Sequence, residues 1–255
     1  MNDKTKGAAL ITGAARRIGR QLALDLAADG YDIALHFNSS RDEAEVVAAD
    51  IRKLGRKAAL LQGDLADADI GERLVGGAVE QLGSLSVLIN NASIFEEDEV
   101  GEVSAASWGR HMDINLRAPV MLSQAFAGAL PAGTFGNIIN IIDQRVLKLN
   151  PRFFSYTVSK SALWTATQTL AQALAPRIRV NAIGPGPALP SARMSDASFA
   201  RQESLTLLKR GTSPAEISAA AKFVLSQPAL TGQMIALDGG QHLAWQTKDI
   251  VEVKE

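Results

Sequence analysis

The stretch Ala8–Gly30 (AALITGAARRIGRQLALDLAADG) decides the fold class of this chain. Its opening run, AALIT, is short and apolar and predicts a buried strand over Ala8–Thr12. A glycine-bounded turn follows, from Gly13 to Gly19, and the run Arg20–Asp29 then predicts a helix. A strand, a glycine turn and a helix in this order are the context of a dinucleotide site, where the backbone approaches a pyrophosphate and the helix N-terminus stabilises its charge.

The same alternation continues along the rest of the chain. Further strands are predicted over Tyr31–Phe37, Ala58–Gln62, Ser86–Ile89, Asn137–Ile142, Arg177–Ile183 and Gln233–Leu237. Helices are predicted over Arg41–Leu54, Asp67–Leu82, Ser104–Leu130 with an interruption before Pro119, Ser155–Ala175 and Pro214–Ser226. We therefore expect one α/β domain over residues 1–255, with a doubly wound parallel sheet of about seven strands. No internal domain boundary or repeat is visible.

Composition excludes several classes of function. The net charge of −1 offers no field to recruit nucleic acid or a membrane surface. The chain has no Cys, which excludes disulfides and thiol chemistry, and its three His are scattered, so no metal site is expected. The apolar run near the N-terminus is too short for a signal peptide or a membrane span, and we expect a cytoplasmic protein.

The glycine turn departs from the common dinucleotide pattern. Its spacing is T-G-x3-R-x-G, with Arg17 where a glycine commonly stands. Arg16 and Arg17 place two cations in the first helical turn, where they oppose the helix dipole by roughly a few tenths of a kcal/mol or more. A bound anion would reverse the sign of that effect. The alternative is that both arginines are simply solvated.

The end of the second strand indicates which dinucleotide would bind. An acidic residue usually holds the free 2′-hydroxyl of NAD at this place. The residues here are Asn38, Ser39, Ser40 and Arg41, and no acidic residue occurs until Asp42. Hydroxyls and an arginine suit a 2′-phosphate, so the sequence favours NADP. The alternative is that Ser39 or Ser40 caps the next helix, and one serine could both cap the helix and bind the 2′-phosphate.

Polar residues also follow the third and fourth strands. Asp64 precedes Leu65 and either accepts a hydrogen bond from an adenine amine or caps the next helix. Asn90 and Asn91 either lock a turn or line a cofactor groove. Phe95, just past the fourth strand, is either a core residue or a plate on which a flat substrate stacks.

Within the long predicted helix, Asn115 either faces solvent or has a buried polar task. The acidic run Glu96–Val103 predicts a solvated loop.

The stretch Asp143–Lys160 carries the candidate chemistry. Tyr156 and Lys160 are four residues apart on a predicted helix, so they project from one face. A phenol beside an ammonium is expected to have its pKa lowered from about 10, which makes Tyr156 a candidate proton donor. Asp143 follows the fifth strand, at the edge where α/β sheets place their sites. The alternative is an ordinary exposed Tyr–Lys pair.

Two segments near the C-terminus have less regular sequences. Residues 186–213, which begin within the G-P-G-P run Gly184–Pro187, show few periodic features, and we expect a mobile cover over the substrate. The tail, residues 244–255, is expected to be either disordered or packed at a subunit interface.

Taken together, these motifs resemble the classical short-chain dehydrogenase/reductase family over about residues 7–243. The motifs are the glycine turn, N-N-A-S after the fourth strand, Asn115, Y-x3-K, P-G after the sixth strand and D-G-G near the end. The resemblance implies a Rossmann-type domain, a nicotinamide cofactor and a homotetramer. It also implies that Tyr156 is the acid, that Lys160 holds the nicotinamide ribose and that Asn115 supports a proton relay through water. The cofactor-binding residues it implies are Gly13, Arg16, Arg17, Ile18, Gly19, Asn38, Ser39, Ser40, Asp64, Leu65, Asn91, Ala92, Ser93, Tyr156, Lys160, Pro185 and Gly186.

Position 143 departs from the family pattern. The usual member has a Ser thirteen residues before the Tyr, whereas this chain has Asp143. Together with the T-G-A-A-R-R-I-G turn and N-A-S-x-F at Asn91–Phe95, this is similar to the pteridine-reductase branch, which includes dihydromonapterin reductases. That similarity implies that Phe95 stacks on a pterin opposite the nicotinamide. It also implies that Ser93 and Arg17 contact cofactor phosphate and pterin. Asp143 and Tyr156 would be the other substrate-binding residues.

The leading hypothesis is an NADPH-dependent reductase that transfers a hydride to the C=N bond of a dihydropterin-like heterocycle. Tyr156 and Asp143 would supply the proton, and two titratable groups so close together should titrate as a pair. A carbonyl or 3-oxoacyl reductase ranks second, because a Ser donates to a carbonyl and an ionised Asp does not. A catalytically silent NADP-binding sensor ranks third, since Asn115, Tyr156 and Lys160 are intact.

Overall fold

The computed structural model describes residues 5–190, 194–247 and 250, which form one parallel sheet with helices on both faces. The strands are β1 (Ala8–Ile11), β2 (Asp32–Phe37), β3 (Ala58–Gln62), β4 (Leu85–Asn90), β5 (Gly136–Ile141), β6 (Ile178–Pro185) and β7 (Met234–Leu237). Their order is β3-β2-β1-β4-β5-β6-β7, and every neighbouring pair is parallel. The predicted doubly wound sheet is confirmed. The order reverses between β1 and β4, which opens a crevice at the carboxyl ends of the strands.

The helices cover the two faces of the sheet and form two apolar cores. They are α1 (Arg17–Ala28), α2 (Arg41–Lys53), α3 (Ile70–Leu82), α4 (Ala105–Met112), α5 (Ala118–Ala129), α6 (Phe154–Leu174), α7 (Asp196–Ser204) and α8 (Pro214–Ser226). Buried residues of α1, α2 and α8 pack on one face, and those of α3, α5 and α6 pack on the other. In β1, Leu10 faces the second core and Ile11 the first, so the central strand is apolar on both sides.

Some helix boundaries differ from those predicted. Helix α1 begins three residues early, at Arg17, because the glycine turn leads directly into the helix. Arg17 itself is in the left-handed region (φ 54°). Helix α3 begins at Ile70, because the turn after β3 uses the hydrogen bonds of Asp64 to the N–H groups of Ala66 and Asp67. The interruption predicted before Pro119 is confirmed and takes the form of a π turn, Asp113–Arg117.

The sequence suggested that the segment 186–213 has no regular structure, and the structure differs from that expectation. It contains α7, whose N-cap Ser195 accepts a hydrogen bond from the N–H of Ser198. No residue of α7 is fully buried, so the helix has no apolar stripe that the sequence could reveal. A 3-10 turn, Gln241–Leu243, directly precedes the tail. Of the tail, residues 248–249 and 251–255 lie outside the described part of the chain. Within the described residues, no helix is long and apolar enough to span a membrane.

Candidate active site

A continuous groove runs along the carboxyl ends of the strands and consists of three cavities. The turn cavity, about 470 Å³, lies against the glycine turn and the end of β2. The central cavity, about 250 Å³, includes Asp143, Tyr156 and Lys160. The large cavity, about 920 Å³, extends from Asp143 and Tyr156 towards α7. Arg17 borders all three cavities, so they form one path.

All the predicted cofactor-binding residues border the turn cavity or the central cavity. Those at the turn cavity are Gly13, Arg16, Arg17, Ile18, Gly19, Asn38, Ser39, Ser40, Asp64, Leu65, Asn91, Ala92 and Ser93. The central cavity adds Tyr156, Lys160, Pro185 and Gly186. The fold therefore brings residues from five separate strand ends and from α6 together in one groove.

The glycine turn is tight and is held by a histidine. Gly13 has φ +64°, and a Cβ on Gly19 would lie 2.1 Å from the Gly13 carbonyl oxygen, so both positions need glycine. The N–H of Gly13 donates to His36 Nδ1 (3.2 Å), while His36 Nε2 lies 3.1 Å from the Gly63 carbonyl oxygen and donates to it. Burial lowers the pKa of His36 to about 4, so the ring is neutral and keeps this tautomer. Nothing in the sequence beyond the position of His36 in a predicted strand indicates this role.

The two arginines of the turn have different surroundings. Arg16 is exposed and forms an ion pair with Glu43 (3.5 Å). Arg17 donates from its guanidinium to the carbonyl oxygens of Pro190 (2.9 Å) and Leu189 (3.4 Å). Arg17 thus ties the glycine turn to the start of the segment that follows β6. The alternative that both arginines are simply solvated is therefore wrong for Arg17, whose guanidinium has backbone partners.

At the end of β2, Ser39 and Ser40 border the turn cavity and Arg41 does not. Ser40 occupies the N-cap of α2, yet its side chain makes no capping hydrogen bond, so the capping role proposed for it is wrong. Arg41 does not border the cavity, contrary to the expectation that it joins the serines. Its guanidinium donates to Gln62 Oε1 (2.8 Å) and lies 5.4 Å over the Phe37 ring, because α2 carries the side chain towards β3.

The ends of β3 and β4 complete the turn cavity. Asp64 accepts from the N–H of Ala66 (2.9 Å) and stabilises a local turn, and it does not cap α3, whose N-cap is Asp69. Asn91 donates from its amide to the carbonyl oxygen of Thr12 (2.8 Å), so it locks the end of β4 to the end of β1 while also lining the groove. Both alternatives for Asn91 hold at once.

Asn115 is fully buried in the π turn, so of its two alternatives the buried polar task is right. Its amide accepts from the N–H of Ile94 (2.9 Å) and donates to the Ile94 carbonyl oxygen (3.0 Å). It also donates to Ser159 Oγ (3.1 Å), whose hydroxyl donates to the Tyr156 carbonyl oxygen (2.7 Å). Asn115 therefore joins the segment after β4 to the first turn of α6.

Asp143, Tyr156 and Lys160 converge in the central cavity. The Tyr156 hydroxyl donates to Asp143 Oδ2 (2.9 Å), and the other carboxylate oxygen accepts from the N–H of Arg145 (2.7 Å). Lys160 Nζ donates to the Ile141 carbonyl oxygen (2.8 Å) and lies 5.8 Å from the centre of the Tyr156 ring. Tyr156 and Lys160 are 6% and 2% exposed, so they are not an ordinary surface pair.

The pKa of Tyr156 differs from the expectation. Burial, and after it the Asp143 carboxyl, raises the pKa of Tyr156 well above its ordinary value, so the lysine does not lower it as predicted. Burial also raises the pKa of Asp143 and lowers the pKa of Lys160 to about 8, although the Asp143 carboxylate opposes the second shift. In this arrangement Tyr156 keeps its proton and shares it with a carboxyl.

An aromatic pair borders the large cavity. The rings of Phe95 and Phe153 stack at 4.1 Å with an interplanar angle of 11°, and Tyr156 contacts the Phe95 ring edge-on at 4.7 Å. Phe95 is 36% exposed, so it is a wall of the cavity and not a core residue. Phe153 lies at the N-cap of α6 with φ 57°. The sequence did not predict its contact with Phe95, because the two residues are distant in the chain and meet only in the folded protein.

The acidic run before α4 is anchored and is not simply a solvated loop. Asp98 is 5% exposed and accepts from the N–H of Ser155 (2.9 Å) and from the hydroxyl of Ser107 (3.0 Å). These bonds fix the start of α6, one residue before Tyr156. The expectation failed because the neighbours of Asp98 are acidic and exposed while Asp98 itself has buried partners.

Comparison with known proteins identifies the family. A family model described as short chain dehydrogenase matches residues 7–201. The chain belongs to the short-chain dehydrogenase family. The resemblance inferred from the sequence motifs is therefore confirmed for the family.

Relatives of this short-chain dehydrogenase cover nearly its whole length. The crystal structure of FolM alternative dihydrofolate reductase 1 from Brucella canis, complexed with NADP, is 50% identical with a TM-score of 0.94, and covers 97% of this chain and 98% of its own. A blue fluorescent protein from a metagenomic library, in complex with NADPH, is 33% identical with a TM-score of 0.87 and covers 92% of this chain and 98% of its own. The 3-oxoacyl-acyl-carrier-protein reductase FabG of Staphylococcus epidermidis is 32% identical over 241 residues, covering 92% of this chain and 98% of its own.

Proposed function

We propose that this short-chain dehydrogenase is an NADPH-dependent reductase that transfers a hydride to the C=N bond of a dihydropterin-like heterocycle. The observation that carries the proposal is the hydrogen bond of 2.9 Å from the Tyr156 hydroxyl to Asp143 Oδ2, at the junction of the central and large cavities. A carboxyl at this place both accepts and returns a proton, which suits the protonation of a ring nitrogen. Turnover of any substrate with oxidation of NADPH would also exclude the hypothesis of a catalytically silent NADP-binding sensor.

The groove fits a phosphorylated nicotinamide dinucleotide. Gly13 and Gly19 border the turn cavity at the N-terminus of α1, where a pyrophosphate would bind. Ser39 and Ser40 border the turn cavity without an acidic neighbour on its wall at that strand end, which favours a 2′-phosphate. Solved relatives are complexed with NADP or NADPH. When bound, NADPH supplies the hydride.

The residues of the chain would move the proton. Tyr156, with its raised pKa, stays protonated at neutral pH and donates to the substrate nitrogen. Asp143, whose pKa is raised by burial, borders the large cavity and can return a proton to the tyrosine. Lys160, held on the Ile141 carbonyl oxygen, supplies positive charge beside them and the ammonium for the nicotinamide ribose. Asn115 would support the relay by fixing the first turn of α6.

The substrate side of the groove suits a flat heterocycle. Phe95 offers an aromatic wall beside Tyr156, while Arg17 and Ser93 border the groove at the place where cofactor and substrate would meet. A relative of 50% identity is named alternative dihydrofolate reductase, which supports a pterin-type substrate.

The deciding experiment follows NADPH oxidation by absorbance, with dihydrobiopterin, dihydromonapterin and dihydrofolate against ketones and 3-oxoacyl thioesters. We expect activity confined to the pterins. The Asp143→Ser variant should lose pterin reduction while NADPH affinity changes little. Activity confined to ketones would overturn the pterin substrate and leave the fold and the proposed acid intact.

A 3-oxoacyl reductase is the second candidate, because a relative of 32% identity carries that name. Position 143 weighs against it, because the Ser hydroxyl that donates to a substrate carbonyl is replaced by Asp143, whose carboxyl accepts from the Tyr156 hydroxyl. The thioester arm of the same assay separates the two candidates.

We also propose that the protein assembles as a homotetramer. Strand β7 is an edge of the sheet, and large apolar side chains are exposed after it in the chain, at Leu243 and Trp245. Leu207 and Leu208 are also exposed, and they lie beside the Gly239–Gly240 turn that follows β7. A second copy would cover such a surface. Sedimentation velocity should give the mass of four chains, and a monomer at micromolar concentration would contradict the proposal.

A further inference from the structure

The turn after β3 places an acceptor and a donor at consecutive residues on the wall of the turn cavity. Asp64 and Leu65 both border this cavity. One carboxylate oxygen of Asp64 accepts from the N–H of Ala66 (2.9 Å), and the other has no hydrogen bond among the described residues. The backbone N–H of Leu65 also has no hydrogen-bond partner within that part of the chain. A ligand in the turn cavity can therefore donate to Asp64 and accept from Leu65.

The adenine of the cofactor matches these two groups. Its edge carries an amine, which donates, beside a ring nitrogen, which accepts. Hypoxanthine has a carbonyl in place of the amine, so it offers an acceptor where the Asp64 carboxylate needs a donor. Selection of adenine requires that the carboxylate keep its position, because hydrogen bonds weaken steeply when they are misaligned.

Arg117 holds this turn from outside the cavity. Its guanidinium donates to the carbonyl oxygen of Ala66, while Asp64 accepts from the N–H of the same residue. Both backbone polar groups of Ala66 are therefore fixed. Arg117 borders none of the three cavities of the groove, so it can act on the cofactor only through the turn.

The π turn Asp113–Arg117 orients this arginine and supports two segments of the cavity wall. Arg117 Nε lies 3.2 Å from Asp113 Oδ1, which forms an ion pair within the turn. In the same turn, Asn115 holds the N–H and the carbonyl oxygen of Ile94, which also borders the turn cavity. One π turn therefore fixes the segments that follow β3 and β4.

We propose that Arg117 is a positioning residue for the adenine of the cofactor. Through Ala66 it aligns the Asp64 carboxylate and the Leu65 N–H, and so sets the selectivity for adenine over hypoxanthine. A binding group that a neighbouring hydrogen bond holds in place stays within the narrow range of positions that selective binding needs. Ala66 is only half-buried, so without Arg117 its carbonyl would bond to water and the alignment would be lost. This inference concerns the cofactor site alone and does not depend on which substrate is reduced.

The test measures the Kd of NADPH and of its hypoxanthine analogue by isothermal titration calorimetry, without a substrate. The wild-type protein should bind NADPH about tenfold or more tightly than the analogue, because the analogue leaves the Asp64 carboxylate without a donor. Arg117→Met should weaken the binding of NADPH about fivefold or more and change the affinity for the analogue by less than about twofold. The discrimination between the two dinucleotides should therefore nearly disappear.

Arg73→Met is the matched control. Arg73 also holds this turn, through ion pairs to Asp67 (2.7 Å) and Asp69 (3.1 Å), and none of its hydrogen bonds in the described chain is to Ala66. The control therefore removes an arginine from the same turn without releasing the residue next to the cavity wall. It should keep the discrimination of the wild-type protein.

Two further variants separate positioning from a general effect on the fold. Arg117→Lys retains a donor for the Ala66 carbonyl oxygen and should keep most of the discrimination. If Arg117→Met does not fold, Asp113→Asn takes its place, because it removes the carboxylate that orients the guanidinium. Asp113→Asn should lower the discrimination about twofold or more.

The outcomes separate this inference from the proposed function. An equal loss of affinity for both dinucleotides in Arg117→Met would overturn the inference, because it would show a general structural role. Unchanged discrimination in that variant, lost discrimination in Arg73→Met, or equal affinities in the wild-type protein would overturn it too. Reduction of ketones instead of pterins would overturn the proposed substrate and leave the inference standing. A wild-type protein that binds neither dinucleotide would overturn both.

Discussion

At the scale of single residues, the proton of Tyr156 decides the chemistry. Its hydroxyl is buried, donates to Asp143, and has a pKa raised above the ordinary value, so it is protonated at neutral pH. Tyr156→Phe should lower kcat by at least about a hundredfold and leave NADPH affinity nearly unchanged, because only the proton is lost.

Stopped-flow turnover and fluorescence titration of NADPH measure the two effects separately. The control is Tyr31→Phe, which alters the other tyrosine of the chain, directly before β2 at the amino ends of the strands, and should keep normal turnover. Near-normal kcat in Tyr156→Phe would contradict the role of the tyrosine.

Asp143 should also set the pH range through Lys160. The pKa of Lys160 is lowered by burial to about 8, and the Asp143 carboxylate opposes that shift. The ammonium is present below this pKa and lost above it, so kcat/KM should fall as pH rises through about 8. In Asp143→Asn the opposing charge is gone, the pKa of Lys160 falls further, and the basic limb should move to lower pH.

A pH profile of kcat/KM for both proteins checks this prediction. Asp50→Asn, which alters an exposed partner of Lys53, should leave the limb where it is. A limb that stays at the same pH in Asp143→Asn would show that the carboxylate does not act on the lysine.

At the scale of elements, the start of α6 depends on a buried carboxylate. Asp98 accepts from the N–H of Ser155 and the hydroxyl of Ser107. Burial raises the pKa of Asp98, but these hydrogen bonds outweigh it and the pKa is lowered overall. Asp98→Asn should lower the free energy of unfolding by about 1.5–3 kcal/mol at neutral pH.

The sign of the pH dependence follows from the lowered pKa. The contribution of Asp98 is present above the ordinary pKa of an aspartate, about 3.9, and is lost as pH falls through the lower folded-state value. Urea unfolding at neutral and acidic pH should therefore show a difference between wild type and Asp98→Asn that shrinks in acid. Glu102→Gln, an exposed change in the same segment, should show little difference at either pH.

The junction of the glycine turn and α1 carries strain that a single substitution can relieve. Arg17 is left-handed (φ 54°), which costs a non-glycine residue roughly 1–2 kcal/mol. It also holds the carbonyl oxygens of Leu189 and Pro190. Arg17→Gly should raise or preserve the free energy of unfolding and increase amide exchange in residues 186–190.

Thermal unfolding and hydrogen exchange measure both effects in the same variant. The matched control is Arg16→Gly, because Arg16 has φ −142° and no left-handed strain to relieve. Destabilisation by Arg17→Gly with unchanged exchange in residues 186–190 would mean that the arginine does not tie these elements together.

At the scale of the whole molecule, the cofactor should stabilise the fold in proportion to its affinity. A ligand that binds only the folded state at a hundred times its Kd adds about 2.7 kcal/mol to the free energy of unfolding. Since Ser39 and Ser40 border the turn cavity, NADPH should raise the melting temperature more than NADH at equal concentration. Ser40→Asp should reverse that order, because a carboxylate repels the 2′-phosphate and accepts from a 2′-hydroxyl.

Differential scanning fluorimetry with both cofactors tests this prediction. Ser195→Asp, a change at the N-cap of α7 away from the turn cavity, is the control and should keep the NADPH preference. A larger shift with NADH in the wild-type protein would contradict the interpretation of the β2 end.

The amino-acid sequence alone determined the order and type of the elements of the sheet, because apolar periodicity is a local property that each strand and helix carries in its own residues. It also determined the candidate pair Tyr156 and Lys160, since their spacing on one helix fixes their common face. The sequence motifs by themselves also indicated the family. Tertiary structure alone decided which side chains meet. Phe153 stacks on Phe95, His36 holds Gly13, and Asp98 anchors α6 through contacts between segments distant in the chain.

The pKa of Tyr156 shows why the sequence alone could not predict the electrostatics of the site. From spacing, the lysine was expected to lower it, but desolvation and the Asp143 carboxyl dominate, and both exist only when the chain is folded. Burial and cross-chain contacts are properties of the packed molecule, so no local pattern contains them.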